Sequence, residues 1–122
     1  MKKILNAHIQ SPLNKIFIIF FIKIIKYILT NKAVEDLTTI WDYTYEVWSE
    51  NQADKYYLEL IEDCKELSEN QNFGKIYDEI SPEILGYKSG QHIIFYRILS
   101  ENEIEITRFL HSRMDLKNRI QE

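Results

Sequence analysis

The sequence predicts an α+β domain with element order β-α-α-β-β-β, in which two N-terminal helices form a hairpin packed on a small antiparallel sheet. Two consecutive segments between residues 33 and 67 repeat apolar side chains at three-to-four spacing, the period of a helix with one buried face. Three strand-like runs follow between residues 85 and 110, joined by turns short enough for hairpins. A length of 122 residues with 45% apolar side chains furnishes one modest core and no second domain.

The first strand is read at Lys26-Tyr-Ile-Leu29. Thr30 or Asn31 is the expected N-cap of the first helix, with Glu35 and Asp36 favoured near its positive end. Its apolar face is read as Val34, Leu37, Ile40, Trp41, Tyr45 and Trp48, with both tryptophans assigned to the hairpin core. Polar Ser49 to Gln52 makes the joint. The second helix runs to about Leu67 with Ala53, Tyr56, Tyr57, Leu60, Ile61, Cys64 and Leu67 inward, one of the two tyrosines falling at the rim. Cys64 is expected to be a small buried hydrophobe.

Asn70 to Gly74 ends the hairpin, and Ser81-Pro82 punctuates the next segment. Strands are expected at Leu85 to Lys88, Gln91 to Leu99 and Glu103 to Leu110. In the last of these, strict alternation puts Ile104, Ile106, Arg108 and Leu110 on one face. Residues 112 to 122 are expected to form a polar tail or short helix.

Charge divides the chain. Residues 1 to 34 carry six lysines and no acid, and residues 35 to 122 hold nine basic against nineteen acidic side chains, a body near −10. Such a body is a poor polyanion binder, because phosphate contacts need clustered Lys and Arg. Within residues 1 to 25, seventeen are Ile, Lys, Phe or Asn, a set encoded by AT-rich codons. The run "KIFIIFFIKIIKYIL" is too short and too interrupted by Lys23 and Lys26 for a spanning helix, and no small-residue cleavage site follows it. Residues 1–25 are therefore expected to be a dispensable extension, with an extra strand, a partner-binding tail or a membrane-associated segment as the other readings, and residues 26–122 the domain proper.

Several chemistries find no signature. There is no Gly-rich phosphate loop, CxxC, HExxH or GxSxG, and His8, His92 and His111 lack metal-ligand spacing, so neither metal nor cofactor is expected. A single cysteine suits a reducing, cytoplasmic setting.

At "LTNKAVEDLTTIWDYT" (29–44) and "GQHIIFYRI…EIEITRFLHSRMD" (90–115), the chain closely resembles the ParE branch of the RelE/ParE toxins of type II toxin–antitoxin systems. The resemblance covers residues 26 to 122 in order, and it implies the same fold. It also implies that the family domain begins at about Lys26. RelE-like members cleave ribosome-bound mRNA, whereas ParE-like members bind and poison DNA gyrase. In several mRNA-cleaving relatives an arginine follows the position matching His92 and the chain ends in a catalytic tyrosine; here Ile93 stands at the first position and no tyrosine follows His111. The resemblance thus implies a gyrase inhibitor, not itself an enzyme, with an mRNA endonuclease and a non-toxic binding remnant as the alternatives.

The residues it marks for target binding are Arg97, Arg108, His111, Arg113 and Asp115; Arg97, Arg108, His111 and Arg113, together with Lys88, would be the nuclease cations. Each also has a plainer reading, an ion-paired end of the sheet. The implied partners are DNA gyrase and a cognate ParD-type antitoxin, in a hetero-oligomeric complex that meets DNA only through the antitoxin.

Overall fold

A computed structural model describes residues 26–113 and residue 120. The elements are β1 (Tyr27–Leu29), α1 (Asn31–Val47), α2 (Glu50–Glu69), a 3-10 turn (Gln71–Phe73), β2 (Lys75–Ile76), β3 (Leu85–Ser89), β4 (His92–Ser100) and β5 (Glu103–His111). They form one five-stranded sheet in the order β1-β5-β4-β3-β2, with the α1–α2 hairpin on one face. The expected β3–β4–β5 meander is present, but the whole sheet is mixed, because β1 pairs parallel to β5 with Tyr27 opposite Ile104. β2 adds a short antiparallel edge to β3 that, at two exposed residues, is too short for apolar patterning to reveal.

Local chemistry accounts for the helix ends. The Thr30 hydroxyl accepts the Ala33 N–H (3.1 Å) and opens α1, and Ser49 accepts the Gln52 N–H (3.1 Å) to open α2. Only Trp48 and Ser49 separate the helices, which forces them back along one another. Ala33 and Leu37 of α1 and Ala53, Leu60, Ile61, Cys64 and Leu67 of α2 are buried, the α-hairpin core closing over Ile94, Tyr96, Ile104, Ile106 and Phe109 of the sheet. Burial pushes the Cys64 thiol well up, so it stays a neutral hydrophobe. Tyr57 packs against this core, and burial raises its phenol to about 12.

Trp48 departs from expectation: it is 72% exposed. The small side chain of Ala33 lets the Ala33–Leu37–Ile40 side of α1 meet the sheet, which rotates the Val34–Trp41–Tyr45–Trp48 stripe toward solvent. Trp41 is half-buried outside the core and donates its indole N–H to Asp54 Oδ1 at 3.0 Å.

A second correction lies in β5. Tyr96 is opposite Ile106 while Phe95 is opposite Arg108, so Thr107 is an extra residue on the β5 side, a bulge whose hydroxyl donates to Phe95 O at 3.1 Å. The alternation slips by one there. Phe109, not Leu110, joins Ile104 and Ile106 under the helices, and Leu110 packs with Ile84, Ile93 and Phe95 on the opposite face, where Tyr77, Ile80 and Ile120 cover them. Arg108 leaves the Ile104–Ile106 face for the same reason.

The bulge coincides with the end of β1. Beyond Leu29 the edge of β5 is closed by α1 instead of a strand: Thr30 N–H donates to Ile106 O (3.0 Å), the Thr30 hydroxyl to Thr107 O (2.8 Å), and Phe109 N–H to the Asp36 carboxylate (3.0 Å). Backbone groups that would otherwise template another strand are thereby satisfied.

Candidate functional site

One end of the sheet gathers polar side chains from four elements. The β3–β4 turn passes through Gly90 at φ +60°, and a Cβ there would meet the Tyr56 ring and hydroxyl at 2.7 Å, so the turn needs glycine on both counts. Tyr56 of α2 reaches into this turn. Its hydroxyl accepts the Gln91 N–H (2.9 Å) and lies 2.7 Å from His92 Nδ1. His92 is in register with His111 at the end of β5, and the two rings meet edge to face with centroids 5.4 Å apart. His111 Nδ1 accepts the Arg113 N–H at 3.1 Å, while the Ser89 hydroxyl donates to the Asp63 carboxylate.

Burial first, then the neighbouring His111, lowers His92 to about 4, with Asp36 acting weakly the other way. His92 is accordingly neutral near pH 7, and its Nδ1, unprotonated in the Nε2–H tautomer, accepts a hydrogen bond from the Tyr56 hydroxyl. Burial also raises Tyr56, which keeps that phenol a donor.

The low value has a sign. Between about pH 6.5 and 4 the unfolded chain binds a proton at His92 that the folded one refuses, so stability is full above 6.5 and falls as the pH drops through this window. The difference in unfolding midpoint between wild type and His92→Gln should therefore change across pH 6.5 to 4 and level off above it. A difference that is flat with pH would mean that His92 titrates normally.

Arg108 is held on the same side of the sheet end. Its guanidinium grips Asp36 with two bonds, Nε to Oδ2 at 2.8 Å and Nη2 to Oδ1 at 3.0 Å, and the residue is 7% exposed. Arg97 is elsewhere. It pairs with Glu105 (2.8 Å) and Glu83 (3.6 Å), five residues from His92 along β4, or about 16 Å at strand rise. The Glu105 hydrogen bond raises its already high affinity for protons.

Of the residues marked in the sequence, His111, Arg113 and Arg108 thus lie at one end of the sheet, Arg97 lies apart, and Asp115 falls outside the described residues. Tyr56, His92 and Asp36 complete the cluster. The sequence placed one tyrosine of α2 at the rim, yet no local pattern ties it to a turn 36 residues away. Among the described residues no group of three or more His, Cys, Asp and Glu could hold a metal ion. Among the described residues the cluster is a polar surface that carries exposed Arg113 beside His111 and neutral His92.

Residues 27–116 match the family described as ParE toxin of type II toxin-antitoxin system, parDE. Toxin ParE1 of Mycobacterium tuberculosis is 37% identical over 91 residues, covering 75% of this chain and 93% of that protein. Toxin ParE1 of Caulobacter vibrioides is 31% identical over the same shares of the two chains. Among solved structures, a chain of a chromosomal ParDE toxin–antitoxin system from P. aeruginosa superposes with a TM-score of 0.62 at 22% identity, covering 71% of this chain and 95% of that one, and so has the same fold. The match spans every element from β1 to β5, and the chain belongs to the ParE toxins of type II toxin–antitoxin systems.

Proposed function

We propose that this toxin arrests growth by binding and poisoning DNA gyrase, and that a cognate ParD-type antitoxin neutralises it. The observation that carries the reading, beside membership of the ParE family, is the state of the two strand arginines. Arg108 is committed to Asp36 and Arg97 to Glu105 and Glu83. Ribonucleolytic cleavage asks instead for cations converging on a phosphate with an acid/base pair aligned across it. A contact surface has no such demand: His111 and Arg113, with Arg108 positioning the strand that carries them, need only match a partner.

A body near −10 also speaks against direct DNA binding, which falls to the antitoxin in this reading. Among the described residues no helix is long and apolar enough to cross a membrane. Action in the cytoplasm, where gyrase works, follows from the proposal.

Induced expression separates the mechanisms. Gyrase-linked DNA breaks with intact mRNA are the expected result; codon-positioned cleavage in primer extension, without such breaks, would replace this reading with the endonuclease one. Residues 1–25 lie outside the described residues, and we take them to be unnecessary to the core. Protein started at residue 25 and purified with its antitoxin should keep a single cooperative thermal transition within a few degrees of the full chain. Loss of cooperativity would assign the segment a structural role.

A further inference from the structure

Tyr56 joins α2 to the sheet end by two routes that converge on the stretch from His111 to Arg113. Its ring stands one helical turn before Leu60, which is fully buried, and packs at the edge of the core beneath the hairpin. The hydroxyl is thereby carried to the β3–β4 turn on a rigid stem. There it accepts the Gln91 N–H at 2.9 Å, and the carbonyl of the same residue takes the Ser112 N–H at 3.0 Å. Gln91 alone thus stands between the phenol and the residue that separates His111 from Arg113.

The second route runs through the rings. The phenol proton has two acceptors in view, Ser89 O at 3.4 Å and His92 Nδ1 at 2.7 Å, and only the second lies within the ordinary range for a hydroxyl donor. That bond selects the Nε2–H tautomer of His92 and holds the ring's orientation. His92 meets His111 edge to face at 5.4 Å, and His111 Nδ1 in turn accepts the Arg113 N–H at 3.1 Å. Both routes start at one oxygen and end on the residues proposed to meet gyrase.

Packing has little need of this oxygen. The core holds the Tyr56 ring, whereas Gln91 is exposed, so water can replace the phenol as acceptor there. A group that adds little to stability yet ties three elements together serves to set their relative placement.

We infer that Tyr56 is a positioning residue for the target surface: its hydroxyl sets the placement of His111 and Arg113 through Gln91 and His92. The inference rests on the gyrase reading above for the target, and on the geometry for the coupling.

The test compares the full chain as wild type, Tyr56→Phe, His111→Ala with Arg113→Ala, and the triple variant. Tyr56→Phe removes one oxygen and keeps the ring. It should weaken supercoiling inhibition by about 5- to 10-fold, the ratio that one hydrogen bond commands, and leave the unfolding midpoint and antitoxin affinity near their wild-type values. In the double-alanine background the same change should cost less than about twofold, because the residues it positions are gone. Amide exchange supplies a signature that a merely structural tyrosine would not give: the Ser112 and Arg113 N–H groups should exchange faster in Tyr56→Phe while the helix hairpin keeps its protection. Inhibition equal to wild type, equal losses in both backgrounds, or unchanged exchange at Ser112 and Arg113 would each overturn the assignment. A wild type that arrests growth without inhibiting gyrase would sink the gyrase reading alone, and the same comparison, read as growth arrest under induced expression, then decides the role of Tyr56. A wild type that does neither would overturn both.

Discussion

Asp36→Ala is expected to destabilise the fold by about 3–5 kcal/mol, the usual cost of removing one partner from a buried ion pair. The carboxylate takes two bonds from Arg108 and one from the Phe109 N–H, and both side chains of the pair are largely shielded from water. Removing it takes the Asp36 acceptor away from a buried guanidinium and from a backbone donor. Urea unfolding of Asp36→Ala, Arg108→Met and the double variant measures the effect. The double variant should be markedly less damaged than the sum of the singles, because no orphaned charge remains. A loss below about 1 kcal/mol for Asp36→Ala would mean that water reaches the pair freely.

Replacing His111 and Arg113 together by alanine should weaken gyrase inhibition while folding and antitoxin binding stay nearly intact. Each desolvated polar or charged contact is worth roughly 1 to 3 kcal/mol, or about 5- to 150-fold in affinity. Arg113 is exposed, and His111 is half-buried, its ring against His92 and its Nδ1 accepting the Arg113 N–H; neither belongs to either hydrophobic core cluster. Titrating supercoiling inhibition with wild type and the double variant gives the shift directly. A folded double variant that inhibits as well as wild type would confine the sheet-end cluster to a structural role and send the search for the gyrase surface elsewhere on the molecule.

The helices and the meander were legible because each repeats its own period over many residues. Leu60, Cys64 and Leu67 mark the core side of α2 in the sequence as they do in the fold. What patterning missed was set by single events. One extra residue at Thr107 transfers Phe109 to the helix side and Leu110 away from it, and nothing in "EIEITRFLH" announces the slip. The first helix has an apolar arc wider than its contact with the sheet, so periodicity alone could not say which edge of the arc is covered; Ala33, too small to stand out, settles it. Asp36 looked like a charge suited to a helix start, and it is, but its carboxylate serves a strand more than seventy residues on. The sheet-end cluster was half visible: His111 and Arg113 stand together in the sequence, whereas Tyr56 and His92 join them only through the turn at Gly90.

The parallel pairing of β1 with β5 has a consequence for the newly made toxin. The first strand of the domain bonds to the last, and Thr30 closes an edge 77 residues downstream at Thr107. Such long-range closure comes late in folding, since its entropy must be lost before any contact rewards it. During synthesis Tyr27, Ile28 and Leu29 leave the ribosome long before their partner strand exists. The half-made chain has a hairpin of helices but no finished sheet, and the sheet end that carries His111 and Arg113 forms only once β5 has been made and paired, after the helices that it will pack against.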